Sequence, residues 1–326
     1  MKWSLLALCI GFCIDLVVGD PHSIPHPVVL IGKLISFLEK SLRKVFPQTP
    51  KGENWAGGVL WVLVVTISLG VPALILSLCH WVSPWLRLGI ESLMCWQILA
   101  TKSLRDESMK VAKALETGDL EKSRQAVSMI VGRDTENLTA PEITRAAVET
   151  VAENTSDGVI APLLFLALGG APLGFFYKAV NTMDSMLGYV EPPYKNIGLV
   201  PAKMDDVMNF LPARISAFLM LWAGKILGLN YENGKKIFKR DRFHHASPNS
   251  AQTESVCAGL MGLQLAGDAW YHGQLHKKPF IGDPLREIQV GDIALSCKLL
   301  YTTALLGLAG CAAVKFLILV GIHYAL

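Results

Sequence analysis

The stretch AGGVLWVLVVTISLGVPALILSLCHW, residues Ala56 to Trp81, decides the class of this fold. A helix needs about 20 consecutive apolar residues to cross the hydrocarbon core of a bilayer. This run is longer than that and carries no Asp, Glu, Lys or Arg. The composition agrees: 52% of the 326 residues are hydrophobic and only 17% are charged, where soluble domains average about 25% charged. The formal net charge of +3 comes from dispersed Lys and Arg. A nucleic acid backbone requires a clustered basic face, so no nucleic acid partner is expected.

Working outward, five weaker apolar runs accompany the first: Trp3–Val18, Pro84–Ala100, Val159–Tyr177, Leu211–Leu229 and Leu299–Ile322. Trp3–Val18 follows Lys2 like a signal peptide, but Asp15 interrupts it and no A-x-A cleavage pattern follows, so it reads as a retained membrane segment. Pro84–Ala100 carries Arg87 and Glu91 and reads as a crossing or an interfacial helix. Val159–Tyr177 is broken by Gly169, Gly170 and Pro172, an interruption that membranes tolerate only where neighbouring protein satisfies the freed backbone groups. The seven cysteines lie mostly in or beside apolar runs with no C-x-x-C pair, which marks them as small hydrophobes rather than zinc ligands or a disulfide framework.

These runs predict an all-α, polytopic integral membrane protein of the cell membrane with a water-facing helical insert. N-terminal membrane segments occupy 1–100, the hydrophilic insert 101–158, and membrane or re-entrant segments 159–229. A polar loop fills 230–298 and a C-terminal membrane helix 299–326. With six crossings, the segments after the first, third and fifth runs share a side and hold 5, 8 and 9 basic residues, against only Lys178, Lys195 and Lys203 between the fourth and fifth. Positive charge retained inside then puts the insert and the 230–298 region in the cytoplasm; five crossings remain compatible with the same counts.

The polar residues gather at the edges of the apolar runs. Asp20, His22 and His26, within Gly19 to Pro27, suit either a metal or phosphate site or a capped turn at the membrane exit. In the insert, Asp119 is placed to cap a helix ending at Gly132, and Thr139 with Glu142 forms a capping box for a helix running to Glu153. Arg145, Glu149 and Glu153 share a helical face and are expected to be a solvated stripe with an i,i+4 ion pair. Glu153-Asn154-Thr155-Ser156-Asp157-Gly158 has more polar groups than one cap requires and reads as an oxygen-rich turn able to hold Mg²⁺.

Asn181 and Asp184 lie on one helical face, and Asp205, Asp206 and Asn209 repeat that pattern before Arg214. Ionisable groups against apolar segments are costly and are functional candidates by default. The arginines and Ser/Asn groups from Arg240 to Ser250 suit an anionic substrate group, or only a topology signal. His272 and His276 read as surface histidines, and neither a P-loop nor a G-x-S-x-G elbow is present.

Taken in order, six motifs resemble the CobD/CbiB family, the membrane-bound adenosylcobinamide-phosphate synthases of cobalamin biosynthesis. They are Gly19-Asp20-Pro21 with His26-Pro27, G-R-D-T-E at 132–136, E-N-T-S-D-G at 153–158, N-T-M-D-S-M-x-G-Y at 181–189, D-D-x-x-N-x-x-P-A-R at 205–214 and S-P-N-S at 247–250. The chain departs from the family after S-P-N, reading Ser250-Ala251-Gln252-Thr253-Glu254 where a G-W-P-E-like continuation is usual.

The resemblance implies that a carboxylate of adenosylcobyric acid is joined to the amine of aminopropanol, or of its O-phosphate, with ATP and Mg²⁺. It implies catalytic roles for Glu153, Asp157, Asp184 and Asp205, and metal ligation by Asp134, Asp157, Asp184, Asp205 and Asp206. Arg133, Thr135, Asn154, Ser156, Asn181, Arg214 and Asn249 are the implied nucleotide- and phosphate-binding groups. Membrane lipid and other membrane enzymes of the corrinoid pathway are the expected partners. The rival class is a transporter for a small anionic or corrinoid ligand, with the broken fourth run lining its path.

Overall fold

The computed structural model describes residues 2–21, 24–189, 191–271 and 273–325, with no side chains for residue 2 or 318–325. His22 and His272 therefore lie outside the described residues. Twelve α-helices carry the fold among the described residues, and the chain forms two compact units. One holds residues 1–100, 161–209 and 310–326; the other holds 101–160 and 210–309.

The first unit opens with α1 (Lys2–Val18), α2 (Pro27–Val45), α3 (Pro50–Val82) and α4 (Pro84–Ile98). Each boundary has a local cause. His26, Thr49 and Ser83 cap the helices that follow them through side-chain acceptors, and each is followed by a proline at the first helical position, where a missing N–H costs nothing. α3 contains the whole of the Ala56–Trp81 run. At 17 and 15 residues, α1 and α4 are short of a full crossing. They pack together so closely that a Cβ on Gly11 would stand 2.6 Å from the Cβ of Cys95.

The insert begins in the second unit with α5 (Thr101–Glu116) and α6 (Leu120–Ser128). Asp119 caps α6 as expected, but that helix stops at Ser128 rather than Gly132. α7 (Ala140–Asn154) carries the capping box of Thr139 and Glu142. The Glu153–Gly158 motif is not a turn. From Thr155 on it belongs to one wide π-helical stretch, Thr155–Ile160, that joins α7 to α8 (Ala161–Leu187). Small and hydroxyl-bearing side chains accommodate the wider winding; Thr155 Oγ1 donates to the Val151 carbonyl at 2.7 Å.

α8 is broken at Gly169 and Gly170, as its sequence predicted. Gly170 adopts φ 69° and ψ −162°, a region open essentially to glycine alone. A Cβ there would meet a Glu91 carboxylate oxygen at 2.5 Å and the Ser4 hydroxyl at 3.3 Å, so polar side chains of α4 and α1 stand against the break. After α8 the chain crosses 188–198 and enters α9 (Leu199–Ile226). Asn196 donates to Glu53 at 2.7 Å and Arg43 donates to the Pro193 carbonyl at 2.8 Å, which ties that connection to α2 and α3.

The stretch expected to be a polar loop, 230–298, is largely ordered. It folds as α10 (Tyr231–Asp241), α11 (Ser250–Met261) and two small antiparallel ladders. In one, β1 (Leu265–Ala266) pairs with β4 (Phe280–Ile281); in the other, β2 (Ala269–Tyr271) pairs with β3 (Gln274–His276). Sequence periodicity misses strands this short. α12 (Gly291–Ala325) closes the chain. The core of the second unit is formed by Ile143 and Ala147 of α7, Val256 and Leu260 of α11, Ile281 of β4 and Ile293 of α12. This packing holds α7 and α11 side by side, which positions the site.

Among the described residues, four helical stretches are long and apolar enough to cross a membrane: Pro50–Val82, Ala140–Leu187, Leu199–Ile226 and Gly291–Leu317. The architecture is that of a multi-pass helical membrane protein. Helical winding runs on from α7 through the π-helical stretch into α8, and the boundary between the two units falls within it at 160/161, close to the expected division at 158.

Candidate functional site

A cavity of about 220 Å³ lies in the second unit, where the segment from Ile130 to Arg133, α7, α11 and the β2–β3 ladder meet. α7 contributes Glu149, Thr150, Glu153 and Asn154, which share one helical face at i, i+1, i+4 and i+5. Arg133 enters from the G-R-D-T-E motif, Glu254 from α11, His245 from the segment before it, and Tyr271 and Lys278 from the ladder and its exit.

The electrostatics of the wall are set by one buried pair. Arg133 donates to Glu149, whose other oxygen accepts from the backbone N–H of Ala266 at 2.6 Å. Burial works against the Arg133 charge, but the Glu149 carboxylate outweighs it and holds the guanidinium more firmly charged than usual. The expected surface stripe is therefore corrected: Glu149 is only 4% exposed and pairs with Arg133 rather than Arg145. The face expected to meet solvent is packed instead, because the residues around Glu149 on this helix are buried on more than one side.

Glu254 sits 5% exposed on an entirely buried helix. Burial, then repulsion from Glu153 and Glu149, pushes its carboxyl well above the usual carboxylate range. His245 moves the opposite way: burial lowers its pKa, and the Glu153 carboxylate opposes that only in part, so the imidazole is held toward its neutral form. Lys278 donates to the Tyr271 hydroxyl at 2.8 Å. The cavity thus brings together a fixed cation, the Glu153 and Glu254 carboxyls, the second with its pKa raised, and an imidazole held toward its neutral form.

Of the sequence-derived candidates, Arg133, Glu153 and Asn154 come together at this cavity. Asp134 accepts from the Gly273 N–H at 2.8 Å, and its own N–H donates to the Trp270 carbonyl, so it docks the β2–β3 turn against the motif. Thr135 is buried but does not line the cavity. Ser156 is buried in the π-helical stretch and accepts from Ser216 at 3.2 Å, with the half-buried Asp157 next to it in sequence. Arg214 donates to the Asn249 side chain at 3.2 Å, joining the P-A-R and S-P-N-S motifs.

A separate acidic group belongs to the first unit. Asp205 accepts from Asn209 at 2.9 Å, and Asn209 in turn accepts from the Tyr177 hydroxyl at 2.8 Å. Asn181 also hydrogen-bonds to Asp205, and Asp184 and Asp206 lie within electrostatic reach of it. Among the described residues, no group of three His, Cys, Asp or Glu side chains is arranged to hold a metal ion by itself.

Sequence reasoning missed Glu149, His245, Glu254, Tyr271 and Lys278. For Glu254 a signal existed: it is the only charged residue from Ser250 to Met261, and a lone carboxylate in a helix of small and apolar residues marks a buried charge.

The family model described as CobD/Cbib protein matches residues 8–300. The chain is similar to the cobalamin biosynthesis protein CobD of Clostridium perfringens, 45% identical over 304 residues that cover 93% of this chain and 96% of the relative. It is 44% identical to the protein of the same name from Klebsiella pneumoniae over 313 residues, covering 96% and 98% of the two chains. With the cobalamin biosynthesis protein CbiB of Salmonella typhimurium it shares 45% identity over 306 residues, covering 94% and 96%. No solved structure matches. The motifs that build the cavity wall fall inside the matched region, and at this coverage the chain belongs to the CobD/CbiB family.

Proposed function

We propose that this protein acts in cobalamin biosynthesis as a carbon–nitrogen ligase. It joins a carboxylate of adenosylcobyric acid to the amine of (R)-1-amino-2-propanol or its O-phosphate, giving adenosylcobinamide or its phosphate, with ATP and Mg²⁺. The observation that carries this reading is the convergence of Arg133, Glu153 and Asn154, drawn from two separate motifs, with His245 and Glu254 at one cavity.

Amide formation from a carboxylate needs two things, an activated acyl group and an unprotonated amine. ATP supplies activation by phosphoryl transfer to the substrate carboxylate, releasing ADP; the amine nitrogen then bonds to the acyl carbon as inorganic phosphate leaves. Arg133 is placed to neutralise charge on the transferring phosphoryl group, and the neutral imidazole of His245 to take the proton from the attacking ammonium. At about 220 Å³ the cavity is smaller than pockets that enclose a whole drug-sized ligand. It suits the reacting ends, with the corrinoid body outside.

The donor set fits magnesium in the way phosphate-linked sites use it. Mg²⁺ is usually held by one or two carboxylates, with water and substrate phosphates filling its other positions. Glu153 and Glu254 offer that chemistry at the cavity; Asp157, Asp184, Asp205 and Asp206 remain the motif-derived alternatives. On this reading the protein sits in the cell membrane with the site facing the cytoplasm, where ATP is available.

The reading is tested with purified protein in nanodiscs by following ADP release. Release that requires the corrinoid acid and the amine together supports it. ATP-independent accumulation of the corrinoid in vesicles, without a new amide, supports transport instead.

A further inference from the structure

α9 and α10 are joined by the short turn 227–230 and form an αα-hairpin. Within the second unit Phe218 of α9 packs edge-on against Phe238 of α10, ring centroids 5.9 Å apart. Arg214 precedes Phe218 by one helical turn, and Arg242 follows Phe238 by one turn. In an antiparallel pair these offsets bring the two arginines to the same level, and the Arg242 charge does act on Arg214.

Like charges at one level repel, so something must hold them. The Arg214 guanidinium stacks 3.6 Å from the Phe210 ring centroid and donates to the Phe210 carbonyl and the Asn249 side chain. Arg242 lies 4.8 Å from the Phe243 ring and 5.4 Å from Phe238, and its carbonyl accepts from Gln252. Among the described residues, neither guanidinium has a carboxylate within ion-pairing distance, unlike Arg133, Arg240 and Arg286. Asn249, whose side chain accepts from Arg214, also opens α11. Two partly exposed arginines, fixed by aromatic rings and left without a counter-ion beside a helix N-terminus, match the charge and fork geometry of a phosphate dianion.

We propose that Arg214, Arg242 and Asn249 form a seat for the phosphate of a phosphate monoester. Resting on the ligase reading, the ligand is the O-phosphate of the amino alcohol, which leaves its amine free to react. The same chemistry is offered by a monoester lipid headgroup, phosphatidic acid.

The test uses the full-length protein in zwitterionic nanodiscs, with binding of aminopropanol O-phosphate and of unphosphorylated aminopropanol measured by calorimetry. A second arm measures retention of phosphatidic acid in place of the soluble ligand. Arg242→Gln is expected to weaken phosphomonoester binding by about 10- to 100-fold, the worth of a charge-assisted pair, and to leave the unphosphorylated amine unchanged. Arg242→Lys keeps the charge and loses the fork, and is expected to fall between. In turnover, KM for the phosphorylated amine rises while KM for ATP does not.

Loss confined to the soluble monoester identifies the substrate phosphate, and loss confined to phosphatidic acid identifies a lipid seat; either supports the site. Unchanged binding of both in Arg242→Gln and Arg242→Lys overturns it. Binding is read without catalysis, so a wild-type protein that binds the monoester but forms no amide would overturn the ligase reading alone.

Discussion

Arg133 and Glu149, 16 positions apart, close a buried ion pair in the wall of the cavity, and Glu149 spends its second oxygen on the backbone N–H of Ala266. The pair fixes the G-R-D-T-E segment to α7 and α7 to the first β-ladder. Removing one partner leaves the other charged and buried, which costs about 3–5 kcal/mol.

Glu149→Ala is therefore expected to lower the apparent melting temperature in detergent substantially. Arg145→Ala, which removes the neighbour once expected to pair with Glu149, is expected to have a smaller effect. Thermal unfolding followed by size-exclusion chromatography checks both; equal effects would mean that the Arg133–Glu149 pair does not anchor the wall.

Glu254 gives a pH signature. Its folded pKa is raised, first by burial and then by Glu153 and Glu149, above an ordinary value near 4.5. The folded chain keeps a proton that the unfolded chain releases, so this contribution is complete below about pH 4.5 and is lost as pH rises through the folded value. Glu254→Gln keeps the shape and removes the titration. Its melting temperature is expected to fall less than the wild type's between about pH 5 and pH 8. Parallel curves for the two proteins would show that Glu254 does not titrate this way.

Gly170→Ala places a Cβ in a backbone region that costs about 1–3 kcal/mol for other residues, against a Glu91 oxygen only 2.5 Å away. A clear loss of thermal stability is expected. Gly310→Ala is the control: its Cβ meets nothing within 4 Å in the middle of α12, so it is expected to be neutral or slightly stabilising. Comparable losses at both positions would remove the helix break at Gly170 as a special feature.

Asp157→Ala and Asp205→Ala are each expected to abolish amide formation while the protein still inserts and folds. Asp157 lies in the π-helical stretch of one unit and Asp205 in the acidic group of the other. Turnover of the purified variants, with monodispersity as the folding check, decides this. Normal turnover by either removes that carboxylate from the reaction.

Much of this was legible in the sequence, for physical reasons that can be named. Lipid imposes a length and a composition that Ala56–Trp81 displays openly, and the capping residues Asp119 and Thr139 mark helix starts by their own hydrogen bonds. The Gly169–Gly170 break was visible because glycine permits what no other residue does. The shares of Glu149 and Glu254 were not legible. Which side of an amphipathic helix meets solvent depends on what packs there, and Ala266, from a two-residue strand no period detects, supplies the partner. His245 and Lys278 reach the cavity through long-range folding that local patterns do not encode.

The central claim is amide formation, and the most direct measurement follows labelled aminopropanol O-phosphate with adenosylcobyric acid and the purified protein, with and without ATP and Mg²⁺. The account predicts label bound covalently to the corrinoid only when ATP and Mg²⁺ are present, with one ADP formed per amide. Label that stays on the free amine under every condition, or joins the corrinoid without ATP, contradicts it.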